Sequence, residues 1–223
     1  MTSMVRATGL QKRFGTTVAL AGVDLQVAKG ECVGVIGPNG SGRSTLLKLL
    51  ATLLPASSGS IEIDGIDAIR RPYAARRQLA YVGDPNLSGH GLSALEYVDF
   101  VVSARAVRLS RTAIDEALAR AAVPADADVD RLSTGNRRRL LLAAAFLVKP
   151  HLLLLDDPFS ALDPDARLEF TRWLSELRNT GSTIVTALND ERDVRALCHR
   201  VLRLEVQPSG LHRLAVLPTP AAV

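Results

Sequence analysis

Residues 37–45 read GPNGSGRST. Gly37, Gly40 and Gly42 let successive backbone N–H groups turn inward around an anion, and a helix starting at this loop adds its positive dipole end. Gly37, Gly42 and Ser44 match the phosphate-binding spacing G-x-x-x-x-G-K-[ST], with Pro38, Asn39 and Ser41 inside the loop, Thr45 after it, and Arg43 where the pattern has lysine. The Ser44 hydroxyl suits a magnesium ion, which also needs an acid at the end of a neighbouring strand; Asp156, closing the run HLLLLD, supplies one. A glycine-rich turn before an ordinary core helix would account for the loop alone, but not for Asp156 in that place.

The flanking elements are the ones such a loop requires. ECVGVIG is a short apolar run entering the loop, and STLLKLLATLL is an apolar helix leaving it and ending at Pro55. Before and after this unit, VDLQV and SIEIDG alternate apolar and polar residues, the second closing on an Asp-Gly turn signal, as in an antiparallel layer. The middle of the chain is helical: Ser93 and Glu96 form a capping box, Ser110 caps a helix that stops near Pro124, and Ser133 caps a long apolar helix closed by Pro150. HLLLL is a strand buried on both faces. A helix with Leu168, Phe170, Trp173, Leu174 and Leu177 on one side follows, then Gly181, the strand TIVTAL, and a tail from Val201 to Leu217 that reads as a hairpin. Repeated strand–helix–strand units imply a mostly parallel sheet flanked by helices.

Composition narrows the function. The 223 residues can bury a sizeable core, and a net charge of +4 has its arginines scattered rather than interleaved with aromatics, so nucleic acid is not an expected partner. Cys32 and Cys198 lie far apart in sequence and without metal-ligand spacing; packing is their expected role, and a reducing compartment fits them. His90, His151, His199 and His212 fall in no ligand spacing. The first residues lack a signal-peptide core and no apolar run reaches the ~18 residues of a membrane span, so a membrane role is expected to run through a partner.

Further motifs stand in a telling order. Phe14 precedes the glycine loop in KRFGTTVALAGVDL; LSTGN (132–136) precedes the Leu strand by one helix; DDPFSALD follows that strand; and DERDVRALCHRV (190–201) follows TALN. This arrangement resembles the ATP-binding cassette of ABC transporters over nearly the whole chain. LSTGN is similar to the LSGGQ signature and SALD (160–163) to the D-loop. The resemblance implies an α/β fold of the P-loop NTPase type: an N-terminal antiparallel β layer and loop core over 1–85, an inserted helical signature lobe over 86–135, the second part of the core over 136–200 and a C-terminal hairpin over 201–223. It implies ATP and Mg²⁺ as cofactors, with two cassettes sandwiching two ATP molecules and closure driving a membrane permease. The loop of one subunit and the signature of the other, here Ser133 and Gly135, would hold each ATP. Phe14 would stack on adenine; on spacing alone it reads equally as a core aromatic at the edge of the antiparallel layer.

The same resemblance exposes four departures. Arg43 keeps the lysine's charge but replaces a compact ammonium with a wide planar guanidinium. Asp157 stands where the family has its catalytic glutamate, one methylene short of the water. Asn189 replaces the switch histidine and can neither carry a proton nor a positive charge. Where the Q-loop glutamine is expected, YVGDPN gives Asp84 or Pro85. The signature half keeps Leu132, Ser133 and Gly135. Arg137, Arg138 and Arg139 follow it near the positive end of a helix, with a solvated face as their default reading and a phosphate or partner role as the alternative. The expectation is a cassette subunit, cytoplasmic and peripheral on the inner membrane face through a permease, whose own half-site hydrolyses poorly and which pairs with a complete cassette. The alternatives are a slow ATPase homodimer and a non-hydrolysing regulatory scaffold. The lobe segment NLSGHGLSALEYVDF resembles those serving small exporter-type permeases.

Overall fold

The computed structural model describes residues 2–85, 87–189, 194–195, 197–206 and 211–217. Its elements run β1 (Ser3–Phe14), β2 (Thr17–Ala28), β3 (Cys32–Ile36), α1 (Arg43–Leu50), β4 (Ser58–Ile63), β5 (Ile66–Asp67), α2 (Pro72–Arg76), β6 (Leu79–Val82), α3 (Ala94–Ala104), α4 (Arg111–Arg120), a 3₁₀ turn (Val129–Arg131), α5 (Thr134–Val148), β7 (Leu152–Asp156), α6 (Pro164–Asn179), β8 (Thr183–Ala187), β9 (Arg200–Val206) and β10 (His212–Leu217). Two sheets result: a four-stranded one in the order β2-β1-β4-β5, with β2, β1, β4 and β5 paired antiparallel, and a six-stranded one in the order β10-β9-β3-β8-β7-β6, parallel from β9 to β6.

The six-stranded sheet is covered on both faces, which is why its central strands read as unbroken apolar runs. Successive side chains on a strand point to opposite faces. Leu152 and Leu154, with Val33 and Val35, therefore pack against α1 and the antiparallel sheet, while Leu153 and Leu155 pack against α5 and α6. The expected turn at Asp64-Gly65 joins β4 to β5 with both residues at positive φ, 49° and 76°. Ser93, Ser110 and Ser133 cap α3, α4 and α5 as expected, the first in a full capping box.

Two expectations need correction. α1 ends at Leu50, not at Pro55, because the chain closes in a left-handed turn at Thr52 (φ 56°) with the Leu53 N–H returning to the Lys48 carbonyl at 2.9 Å. Leu168 is 53% exposed and does not belong to the core face of α6, which is made by Ala166, Phe170, Trp173, Leu174 and Leu177. The expected C-terminal hairpin is present, β10 pairing antiparallel with β9, and β9 in addition joins the main sheet parallel to β3.

The apolar face of α6 fixes the loop at its start, where Asp163 caps the helix through the Ala166 N–H at 2.9 Å. Trp173 is buried edge-on to Phe146 and Phe170, with ring centroids 4.7 and 5.2 Å away, and the Arg120 guanidinium lies 4.7 Å over its ring. Trp173→Ala is expected to cost about 3–5 kcal/mol, read as a fall in the urea midpoint. The buried Trp173 Nε1 has no partner, so Trp173→Phe, which deletes that orphaned donor, costs less than half as much.

Candidate functional site

Parallel strands β3, β8, β7 and β6 are neighbours and share one C-terminal edge. The loop 37–42 leaves β3, Asn189 follows β8, Asp156 ends β7 with Asp157 directly after it, and Asp84 follows β6. Four segments far apart in sequence thus converge because of strand order alone.

The loop is built for an anion. Gly40 and Gly42 have φ of 79° and 96°, and a Cβ at Gly42 would lie 2.6 Å from the Ala19 carbonyl, so only glycine fits there. Gly42 is the N-cap of α1, yet that helix has no side-chain cap and no acid in its first turn, whereas α3, α4, α5 and α6 are all capped by Ser or Asp. Its leading N–H groups thus have no side-chain acceptor and suit phosphate oxygens. Ser41 Oγ is buried without a partner, a state that costs about 1–3 kcal/mol unless a ligand supplies one. These orphaned donors fit a polyphosphate.

Beside the loop, the Ser44 hydroxyl donates to Asp156 Oδ1 at 3.0 Å and the Tyr81 hydroxyl donates to Asp156 Oδ2 at 3.2 Å. This oxygen set fits a hard divalent cation that keeps waters and phosphate oxygens as its remaining ligands. Tyr81 carried no motif signal. Burial, then the nearby Asp156 charge, pushes its phenol well above the usual range, so it remains a proton donor to Asp156 at any physiological pH.

Arg43 does not stand free over the loop. Its Nη1 donates to the Leu188 carbonyl at 2.7 Å, and its Nη2 to Asn189 Oδ1 at 2.6 Å and Asn39 Oδ1 at 3.4 Å. The Asn189 amide in turn donates to Asp157 Oδ2 at 3.1 Å. Asp157 sits in a left-handed conformation (φ 47°), one that Asp tolerates well, and its N–H is held by the Ala187 carbonyl at 2.9 Å. Three of the four departures therefore form one hydrogen-bonded chain, Arg43–Asn189–Asp157. At the fourth, Asp84 is exposed and Pro85 buried, so Asp84 presents the polar side chain at this edge.

The arginines after the signature are not a solvated face. Arg138 is 4% exposed and donates to the Gly83 carbonyl; burial lowers its pKa, opposed by the charges of Asp157, Asp84 and Asp156. Arg139 pairs with Asp163, and Arg137 donates to the Asp130 carbonyl at 2.6 Å. An internal cation on α5 thus faces the three acids of the strand edge, which spacing along the sequence could not reveal.

Ser133 and Gly135 make contacts of their own. Ser133 Oγ accepts the Asn136 N–H at 3.2 Å, and Gly135 packs on the 160–163 loop, where a Cβ would sit 2.7 Å from the Ala161 carbonyl. Phe14, 49% exposed at the end of β1 with Lys12 Nζ 4.9 Å from its ring, is not the core aromatic that spacing equally allowed. Its hairpin, where Phe14 pairs with Thr17 and Lys12 with Leu20, is the one whose Ala19 touches Gly42. Residues 190–193, at the start of the segment compared with that after the switch histidine, lie outside the described residues. Among the described residues no helix is long and apolar enough to cross a membrane, and no group of three or more His, Cys, Asp or Glu could hold a metal ion.

Comparison with known proteins agrees with this geometry. The ABC transporter family profile matches residues 20–160. The daunorubicin resistance ATP-binding protein DrrA3 of Streptomyces coeruleorubidus is 34% identical over 88% of this chain and 64% of its own length. The sulfate/thiosulfate import ATP-binding protein CysA of Bradyrhizobium diazoefficiens is 36% identical over 90% of this chain and 61% of its own. The chain thus spans about three fifths of the length of such relatives. A dimeric bacterial ABC transporter cassette superposes with a TM-score of 0.85 at 26% identity, covering 98% of this chain and 100% of the other. A dimeric post-hydrolysis cassette bound to ADP and Pi superposes at 0.84 with the same coverage and identity. The glycine loop, the Asp156 edge and these likenesses converge: the chain belongs to the ABC transporter family, as an ATP-binding cassette with the ABC-type P-loop NTPase fold.

Proposed function

We propose that this chain is a cassette that binds ATP with Mg²⁺ and takes part in ATP-driven dimerisation against a second cassette, powering or regulating a membrane permease, with its own half-site poorly suited to cleavage. The observation that carries this reading is the chain Arg43–Asn189–Asp157. The cation that should meet the γ-phosphate is engaged by a backbone carbonyl and an amide oxygen, and each charge-assisted bond that must be exchanged is worth about 1.5–3 kcal/mol. Asp157, to which this reading gives the orienting of water, is one methylene short of the family's glutamate and accepts a hydrogen bond from Asn189.

In this reading the loop N–H groups and Ser41 bind the phosphates, Phe14 offers its exposed ring to the base, and Ser44 and Asp156 hold the cation. Bound magnesium would neutralise charge on the β- and γ-phosphates. Tyr81 keeps Asp156 oriented, and Arg138 balances the acids at the strand edge. Ser133 and the α5 N-terminus, next to the 160–163 loop on which Gly135 packs, are the groups a partner's nucleotide would meet. Localisation at the inner membrane face follows from the permease partnership proposed.

The test is binding against turnover in the purified chain. Magnesium ATP is expected to raise the melting midpoint while steady-state phosphate release stays within error of an Asp156→Asn control. Robust magnesium-dependent release would favour the slow homodimeric ATPase; no thermal shift at millimolar nucleotide would remove ATP binding altogether.

A further inference from the structure

We propose that Cys32 and Cys198 are a reversible dithiol–disulfide pair whose oxidation staples the residues just before β9 to the strand that carries the glycine loop. The two residues are 166 apart in sequence, yet their Sγ atoms lie 3.4 Å from each other. A disulfide needs a separation of about 2.05 Å, so the sulfurs must close by about 1.4 Å.

The approach is set by the backbone on both sides. The His199 N–H donates to the Cys32 carbonyl at 2.9 Å, and the Cys32 N–H donates back to His199 Nδ1 at 3.0 Å. The Cys198 N–H is held by the Val194 carbonyl at 2.9 Å, and Val194 packs so closely on Gly34 that a Cβ there would sit 1.9 Å from Val194 Cγ1. Both thiols are thus held in place by paired strands and a glycine-sized contact, not by flexible side-chain reach.

The two thiols are unequal, which sets the order of events. Cys32 is buried, while Cys198 is partly exposed and is where an oxidant enters. The hydrogen bond shared with Cys32 and burial raise the Cys198 thiol well above its usual range, against the lowering effect of the nearby Arg178 cation, so little thiolate is present and exchange is slow. The co-reactant is a low-molecular-weight disulfide. The Cys198 thiolate attacks one of its sulfurs, breaking the S–S bond and releasing one small thiolate, which takes up the proton lost from Cys198. The Cys32 thiolate then attacks Cys198 Sγ in the mixed disulfide, releasing the second small thiolate, which takes up the proton from Cys32. Two protein thiols are oxidised and one small disulfide is reduced to two thiols. The new bond ties β3, the strand that leads into the loop, to the residues just before β9.

The experiment is exposure of the reduced full chain to 2-hydroxyethyl disulfide, followed by intact mass, thiol titration under denaturing conditions and urea unfolding. The expected product is a monomer lighter by about 2 Da with no titratable thiol, a higher urea midpoint, and full reversal by dithiothreitol. Cys32→Ser and Cys198→Ser should each abolish that product; Cys32→Ala serves in place of Cys32→Ser if the serine chain fails to fold. Disulfide-linked dimers, a mixed disulfide on Cys198 that never closes, or two thiols still titratable after prolonged exposure would each overturn the pairing. Closure without any shift in the urea midpoint would overturn the staple.

Discussion

The triple variant Arg43→Lys, Asp157→Glu, Asn189→His is expected to hydrolyse magnesium ATP at least ~100-fold faster than the unaltered chain, since a ~1 Å misplacement of a reacting group alone costs on the order of a hundredfold. The size of the gain rests on what the three positions do to one another. Asn189 accepts from Arg43 and donates to Asp157, so each residue holds the next in place. Groups coupled in this way respond non-additively. Asp157→Glu alone lengthens the carboxylate but leaves the guanidinium on the Leu188 carbonyl, and Arg43→Lys alone frees a compact cation while the base stays short. Each single variant is therefore expected to gain less than about a tenth of the triple variant's increase. Phosphate-release assays on all seven combinations check this. A full gain from Asp157→Glu alone would show the three to be independent, and a folded triple variant without any gain would place the defect elsewhere.

Asp156→Asn is expected to abolish the magnesium-dependent part of nucleotide binding while leaving the fold intact. Asp156 accepts from both Ser44 and Tyr81, and an asparagine in the same shape keeps one oxygen for such a bond but loses the charge a divalent ion requires. The loop N–H groups and Ser41 are untouched, so the residual affinity measured with EDTA should be the same for both proteins. Calorimetric titration with ATP, with and without magnesium, separates the two contributions: about a tenfold or greater loss in magnesium and none in EDTA is expected. Equal losses in both conditions would mean that Asp156 acts on the loop and not through the ion.

Most of the architecture could be read from the chain because local signals agreed with the global arrangement. The run HLLLL is legible as a doubly covered strand since Leu152 and Leu154 face one layer and Leu153 and Leu155 the other. Serine caps marked three helices correctly. Leu168 misled because an apolar residue half a turn off the buried face differs from a core residue only by angle, and its 53% exposure follows from how α6 rolls onto the sheet. The end of α1 was hidden in Thr52, a residue with no sequence preference for the left-handed turn it adopts.

In the site, the glycine loop and Asp156 announced themselves by type and spacing. What the sequence left unspoken is how departures separated by up to 146 residues meet. Parallel strand order brings Arg43, Asn189 and Asp157 together, and no local pattern encodes that order. Tyr81 carries no signal and Arg138 reads by default as solvated, for a related reason. One lies on a strand among apolar neighbours and the other in a run of three arginines, and only the packing of β6 against β7 and of α5 beneath the strand edge directs them to Asp156 and the Gly83 carbonyl.

The most direct measurement is a single-turnover experiment: excess purified chain is mixed with γ-labelled ATP and magnesium, quenched over a time course, and the label separated into ATP and phosphate. A site that binds but does not cleave returns the label bound and almost entirely as ATP after times at which the triple variant has converted it. Conversion of the bound ATP to phosphate by the unaltered chain at a rate comparable to the triple variant would contradict the impaired half-site.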